Sequence, residues 1–429
     1  MNDELSEQYA THHSPLTTHV SSLTTHVPWS SYGYYLPARP SFTFDPLLHA
    51  GTYYVQEASS MFLEQVFKQT VDLLRPLRVL DLCAAPGGKS TLLQSLISKE
   101  SLLVSNDVIK SRAAILEENM TKWGAANVVI TNNDPAHFAR LENYFDVIVI
   151  DAPCSGSGLF RRDADAINEW SENNVQLCSQ RQQRIIADVW PALKQDGILI
   201  YSTCSYSKEE DETILDWICE EFKVEPLRLN VEKEWQVIES VSEKEHAYGY
   251  RFYPDKVKGE GLFIAAVKKM EGASFASIKP GKGKADKLTK AEEVIVKSWL
   301  QDSTGIFLFK QKDDIIALPA ALQNNIPVLQ SALYIKKAGV MMGKIAGNHL
   351  IPDHALAVSS IINKSIVHIE LTLQQAIQYL RREEMPLHTE HRGWALVSYQ
   401  NHNLGWIKVL GNRFNNYYPK EWRIIKQNL

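Results

Sequence analysis

The 429-residue chain has little cysteine, five residues in all, and no excess of positive charge, its formal balance being -5 at neutral pH. Five is odd, and no pair has the spacing of a zinc ligand set, so neither a disulfide framework nor a metal centre is expected. No apolar run reaches the roughly 20 residues of a membrane helix, and no basic-then-apolar leader opens the chain. A cytoplasmic protein with no membrane partner is the expectation. The acidic balance excludes a protein that coats nucleic acid indiscriminately and leaves room for local basic patches.

What is present is globular in composition, 45% hydrophobic and 22% charged, and too long for one core. Two or three domains are expected. Residues 1–27 contain a duplication, Leu16-Thr17-Thr18-His19-Val20 repeated as Leu23-Thr24-Thr25-His26-Val27. Its histidines, with His12 and His13, lack Cys or acidic partners, so a flexible arm is read in place of a metal site. From 28 the prolines and aromatics suggest an extended, wrapped segment, taken as a cap over 28–75. Between 76 and 270 strand-like runs at 78–83, 102–107, 128–132, 145–150 and 197–201 alternate with helical patterns at 89–97, 111–123, 179–193 and 209–222. This predicts an α/β fold, a doubly wound, mostly parallel sheet covered by helices on both faces, closed by a strand at 260–268 whose direction, parallel or antiparallel, the pattern leaves open. A Gly- and Lys-rich linker is read at 271–290, with Lys279, Lys282, Lys284, Lys287 and Lys290, and a small β-rich α+β module at 291–429. The carboxylates between 209 and 245 form a charge run of the kind that is most often a solvated face.

Chemistry concentrates in three stretches of the sheet region. Asp81-Leu82-Cys83-Ala84-Ala85-Pro86-Gly87-Gly88-Lys89 places a strand, a Gly-Gly turn and a helix in succession, the geometry that brings backbone close to a nucleotide. Asp107 ends the next strand, where a carboxylate commonly accepts ribose hydroxyls. The glycine spacing fits neither the dinucleotide fingerprint nor a phosphate loop, so a nucleoside without phosphate, S-adenosylmethionine, is favoured. Asp151-Ala152-Pro153-Cys154-Ser155-Gly156 and Ser202-Thr203-Cys204-Ser205 put two cysteines in polar turns past the ends of neighbouring strands. A thiolate adding to carbon 6 of a pyrimidine makes carbon 5 nucleophilic enough to take a methyl group, so the combination reads as a cytosine-C5 methyltransferase. Physical reasoning leaves open which cysteine attacks.

Together with Tyr54-Val55-Gln56-Glu57-Ala58-Ser59-Ser60-Met61, Arg162-Asp163, Trp170 and Gly259-Glu260-Gly261, these motifs resemble the NOL1/NOP2/Sun family of RNA cytosine-C5 methyltransferases over most of 28–270. Leu404-Gly405-Trp406 and Asn415-Asn416-Tyr417-Tyr418-Pro419 are similar to the RNA-binding, PUA-like tail of the bacterial subgroup that modifies small-subunit ribosomal RNA. The resemblance implies a Rossmann-like class I methyltransferase with Cys204 as nucleophile and Cys154 assisting release of the methylated base. Asp151 is expected near both the cofactor and the target base. Backbone from Cys83 through Ala84, Ala85, Pro86, Gly87 and Gly88 to Lys89 would cradle the cofactor, Asp107 would take its ribose and Asp134 its adenine, with Lys89 and Arg112 in support. Arg162, Arg381, Arg382, Arg413 and Lys420 are the candidate RNA contacts of what is expected to be a monomer. Alternatives are a non-catalytic ribosome-assembly factor, tRNA as substrate, or methylation of an exocyclic amine, the last requiring a Pro-Pro-aromatic motif where this chain has Ala152-Pro153-Cys154.

Overall fold

The computed structural model describes residues 9–12, 25–36, 41–272, 286–411 and 413–426. Most of the duplicated arm and of the lysine-rich linker lies outside these residues. The strands that build the central sheet are β1 (Arg78–Asp81), β2 (Leu102–Asn106), β3 (Val128–Thr131), β4 (Phe145–Asp151), β5 (Leu193–Thr203), β6 (Ile238–Val241), β7 (Tyr248–Phe252), β8 (Leu262–Lys269) and β9 (Ile335–Ala338). Their order across the sheet is β6-β7-β8-β5-β4-β1-β2-β3-β9, with the short strand Val224–Pro226 also paired to β8. β1 to β5 pair in parallel, as their almost unbroken apolar runs require of strands buried on both faces. β8 pairs antiparallel with β5, the direction that the sequence leaves open for its closing strand. The chain reverses direction across the sheet between β1 and β4, and the crevice outside their carboxyl ends is where a doubly wound sheet binds ligand.

Helices α1 (Gly88–Leu96), α2 (Lys110–Trp123), α3 (Glu172–Val189) and α4 (Glu212–Glu221) cover the sheet. α3 starts where the Ser171 side chain accepts from the Asn174 N–H, and α2 stops at Gly124 in the left-handed region. One apolar layer packs α3 and α4 against the sheet through Ile185, Ile186, Val189, Ile214 and Ile218. The other layer joins Leu92, Leu93 and Leu116 to the N-terminal segment through Trp29, Met61 and Phe62. Trp29 is buried and its indole N–H donates to the Ala58 carbonyl at 2.7 Å, so the cap is part of the core.

The C-terminal region holds two four-stranded sheets, Ile306–Gln311 with Asp314–Pro319, Val340–Ala346 and His349–Pro352, and His368–Glu370 with Gly393–Tyr399, His402–Val409 and Phe414–Asn416. Trp406 is fully buried there. Between Asp314–Pro319 and Val340–Ala346 of the first sheet the chain returns to the central one, where β9 pairs antiparallel with β3. Asn133 fastens that junction, donating to the Tyr334 carbonyl and accepting the Tyr334 N–H, each at 2.9 Å. Among the described residues no helix is long and apolar enough to cross a membrane, and no three metal-ligating side chains cluster.

Candidate active site

The loop after β1 turns sharply at Gly87, whose φ of 122° is open to glycine and strained for other residues, and the chain enters α1 without a side-chain cap. The first N–H groups of α1 are thereby left to face the crevice. Arg112 spans this cradle, donating to the Ala85 carbonyl at 2.7 Å and pairing with Asp107 at 3.5 Å. Asn119 holds the next carbonyl, that of Pro86, at 2.8 Å. Asp107 is buried, and one of its oxygens accepts the Ile109 N–H at 2.8 Å. Asp134 stands farther out, exposed at the end of β3 and capping the following turn through the Ala136 N–H.

Asp81 lies at the floor of the crevice. One oxygen accepts the Ser90 hydroxyl at 2.7 Å, and the other, Oδ1, is buried with no hydrogen-bond partner. Burial pushes its pKa up to about 7, against the opposing pull of Ser90 and Lys89. An orphan acceptor in an uncapped, glycine-lined cradle fits a ligand that carries positive charge and a nucleoside. Cys83 faces the same place: burial raises its pKa, and the charges of Asp81, Asp151 and Asp107 raise it further. Asp81, Asp107 and Asp151 thus all bear on Cys83, and with burial they disfavour its thiolate.

The two turn cysteines meet at the crevice mouth, with their sulfurs 3.1 Å apart. Their loops approach so closely that the Gly158 N–H donates to the Cys204 carbonyl at 2.8 Å, and a Cβ on Gly158 would stand 2.5 Å from that oxygen. Lys89 reaches across from α1 to Asp151, 2.8 Å away, while the Ser202 hydroxyl donates to the other oxygen of Asp151 at 2.9 Å. Burial opposes the charge on Lys89, yet Asp151 and Asp81 hold its pKa above the usual lysine range. The thiols are unequal. Cys204 has its pKa lowered by hydrogen bonding from Cys154 and by the Lys89 cation, which together outweigh burial and Asp151. Cys154 has its pKa raised by that same bond, by burial and by the nearby carboxylate of Glu210. Both shifts run in the direction that makes Cys204 the readier of the two to ionise, an ordering that the sequence alone leaves open.

Glu210 itself escapes a sequence reading. It is fully buried and accepts from the Ser155 N–H at 2.8 Å, the Ser155 hydroxyl at 2.5 Å, the Ser205 hydroxyl at 2.6 Å and the Gln182 amide at 3.1 Å. Beside it Asp211 accepts the Thr203 hydroxyl at 2.6 Å and pairs with Arg251 at 3.0 Å. Glu57, a half-buried carboxylate, accepts the backbone N–H groups of Ser59, Ser60 and Glu260 and so fastens the cap beside the cysteine loops.

The candidate RNA contacts are scattered. Arg162 is exposed beside the cysteine loop, whereas its neighbour Arg161 is tied to the Gly259 carbonyl at 2.7 Å and to Glu260 at 3.4 Å. Arg381 donates to the Lys426 carbonyl at 3.0 Å, and Arg382 to the Tyr418 carbonyl. Arg382 and Arg413 border one cleft of about 1070 Å³, which also presents Glu383, Glu384 and Glu390. Lys420 stands in the final turn, Lys420–Trp422.

Three family models match this chain: 16S rRNA methyltransferase RsmB/F over residues 70–268, the N-terminal domain of 16S rRNA methyltransferase RsmF over 7–58, and the methyltransferase RsmF PUA domain over 367–424. The protein named ribosomal RNA small subunit methyltransferase F in Psychromonas ingrahamii is 30% identical over 424 residues, spanning 94% of this chain and 85% of its own. The protein of the same name in Shewanella loihica is 29% identical over 411 residues, with 92% and 83% covered. A crystal structure titled as a methyltransferase homolog protein from Pyrococcus horikoshii superimposes with a TM-score of 0.50 at 30% identity, covering 62% of this chain and 87% of that one.

Proposed function

The chain belongs to the family of ribosomal RNA small subunit methyltransferase F, and from that membership and the paired thiols we propose that it methylates carbon 5 of a cytosine in small-subunit ribosomal RNA, with S-adenosylmethionine as methyl donor. When bound, the cofactor supplies an electrophilic methyl group to carbon 5. The residues that would hold it are the Cys83–Lys89 loop, with Asp107 and Arg112 at its ribose side, Asp134 at the rim and Asp81 below. Cys204 is the nucleophile in this reading: its thiolate bonds to carbon 6, and the electrons of the 5,6 double bond make carbon 5 reactive. Asp151, held by Lys89 and Ser202, steadies the charge that develops at the base. Once the proton at carbon 5 has gone to a base, the electrons re-form the double bond and expel the sulfur. Cys154 supports this release as the thiol in contact with Cys204. The cytosine must leave its stack to reach a thiol at the crevice mouth. The cytoplasm, where thiols stay reduced, suits both the pair and the substrate.

The observation that carries the reading is the 3.1 Å contact between two thiols of unlike proton affinity at the mouth of the cofactor crevice. Small-subunit RNA incubated with cofactor and each variant tests it on a denaturing gel. Cys204→Ser should give neither 5-methylcytosine nor an adduct, and Cys154→Ser should accumulate a covalent protein–RNA species. Trapping by Cys204→Ser instead would exchange the two roles.

A further inference from the structure

A buried carboxylate is costly unless its hydrogen-bonding capacity is filled, and Glu210 is filled by neutral donors from three separate stretches of chain. Ser155 follows Cys154 in sequence, Ser205 follows Cys204, and Gln182 lies on α3. The Gln182 amide also donates to the Pro153 carbonyl at 3.1 Å, one residue before Cys154. The Tyr201 hydroxyl, at the end of β5, donates to the Glu210 carbonyl at 2.7 Å and fixes the backbone that carries the carboxylate. A side chain that merely closed the turn before α4 would need none of the donors beside Cys154.

We propose that Glu210 is a positioning residue for the two-thiol reaction, clamping the Cys154 loop to the Cys204 loop so that the sulfurs stay in contact. The proposal rests on the cysteine roles assigned above. Electrostatics act in the same direction as the geometry. The Glu210 anion bears on Cys154, while Lys89 from α1 bears on Cys204. The other titratable groups that act on the pair are Asp151 at the end of β4, Tyr201 in β5 and Tyr206 beyond Cys204. Without the clamp the loops can part, and Cys204 loses the S–H bond that stabilises its thiolate.

Three variants of the full-length protein test this in the absence of RNA. Glu210→Gln turns an NH2 group toward existing donors, and Ser155→Ala and Ser205→Ala each remove one arm of the clamp. Labelling with iodoacetamide over about pH 5 to 10, read by peptide mass spectrometry, gives the ratio of Cys204 to Cys154 modification and the midpoint for Cys204. The unsubstituted protein should label Cys204 first. Glu210→Gln should lower the ratio about tenfold and move the Cys204 midpoint upward, each serine variant should shift both readings the same way by a smaller factor, and Glu210→Asp should restore part of the ratio. Should Glu210→Gln fail to fold, the serine variants decide. Folded variants with an unchanged ratio and midpoint would overturn the clamp alone. Preferential labelling of Cys154 in the unsubstituted protein would overturn the assignment of the nucleophile, and the proposal with it.

Discussion

Lys89 acts twice, pairing with Asp151 at 2.8 Å and drawing the Cys204 thiol toward its ionised form. With Cys204 as the proposed nucleophile the reactive species is its thiolate, so activity is expected to fall as pH drops through the Cys204 pKa. Removing the cation raises that pKa, and Lys89→Met should therefore lose activity beginning at a higher pH, seen as an upward shift of the acidic limb in single-turnover methylation. Asp81 makes a second, thermodynamic prediction. Its folded pKa of about 7 lies above the ordinary carboxylate value, so its proton is held more tightly in the folded protein. The stability it contributes is complete below the unfolded pKa of about 4 and is lost as pH rises toward 7, a change on the order of a few kcal/mol. Asp81→Asn should flatten that slope in urea unfolding measured at about pH 5 and 7.5. At this scale the sequence shows the chemistry and conceals its support. Cys154 and Cys204 stand out because polar turns are unusual places for inert thiols. Glu210, Asp211 and Glu212 sit in a run of carboxylates that reads as a solvated helix start, and all three are buried. Their partners, Ser155, Gln182 and Arg251, come from elsewhere in the chain, and no local pattern announces them.

Among the elements, the parallel strands and their helices are legible because burial on both faces writes continuous apolar runs, and their observed bounds lie close to those read from periodicity. α3 begins earlier than expected, at Glu172, since its first turns carry Asn and Gln on exposed faces and are set by the Ser171 cap. β9 is missed altogether. Ile335-Lys336-Lys337-Ala338 has no alternating pattern and gains strand form from β3, its partner far back in the chain. β9 lies outside the stretch 76–270 read as the catalytic domain, yet it completes the sheet, and a chain ending near Gly272 lacks it. Without β9, the edge of β3 opens and Asn133 loses both bonds to Tyr334 beside Asp134. Such a chain should melt at a lower temperature and bind S-adenosylmethionine several-fold more weakly by calorimetry; equal affinity and melting would show that the sheet closes without it. In the cofactor loop, Gly87→Ala forces a β-carbon onto a φ of 122° and should cost about 1 kcal/mol or more of stability along with cofactor affinity.

For the whole molecule, cap, sheet and tail form one body. The His49 ring lies 3.2 Å from the Tyr418 hydroxyl, so a residue near the beginning of the described chain is bonded to one near its end. Arg381 and Arg382 already hold backbone carbonyls in this tail, which leaves Arg413 and Lys420 the better placed to meet phosphate. Replacing these two with Gln should weaken RNA binding and reduce its dependence on salt by close to one unit of slope per lost contact, measured by filter binding at several ionic strengths. Unchanged slopes would move recognition to the cap. The pairing of β9 with β3 also sets an order of manufacture. Asn133 and Tyr334 are 201 residues apart, so a nascent chain presents the cofactor crevice with one sheet edge bare until the tail is made. Long-range pairings of this kind form late, and an unpaired edge is a template for misassociation in the interval. A central sheet finished by a strand made about 200 residues after its neighbour ties its completion to the completion of synthesis, so that an interrupted chain is left with an open edge.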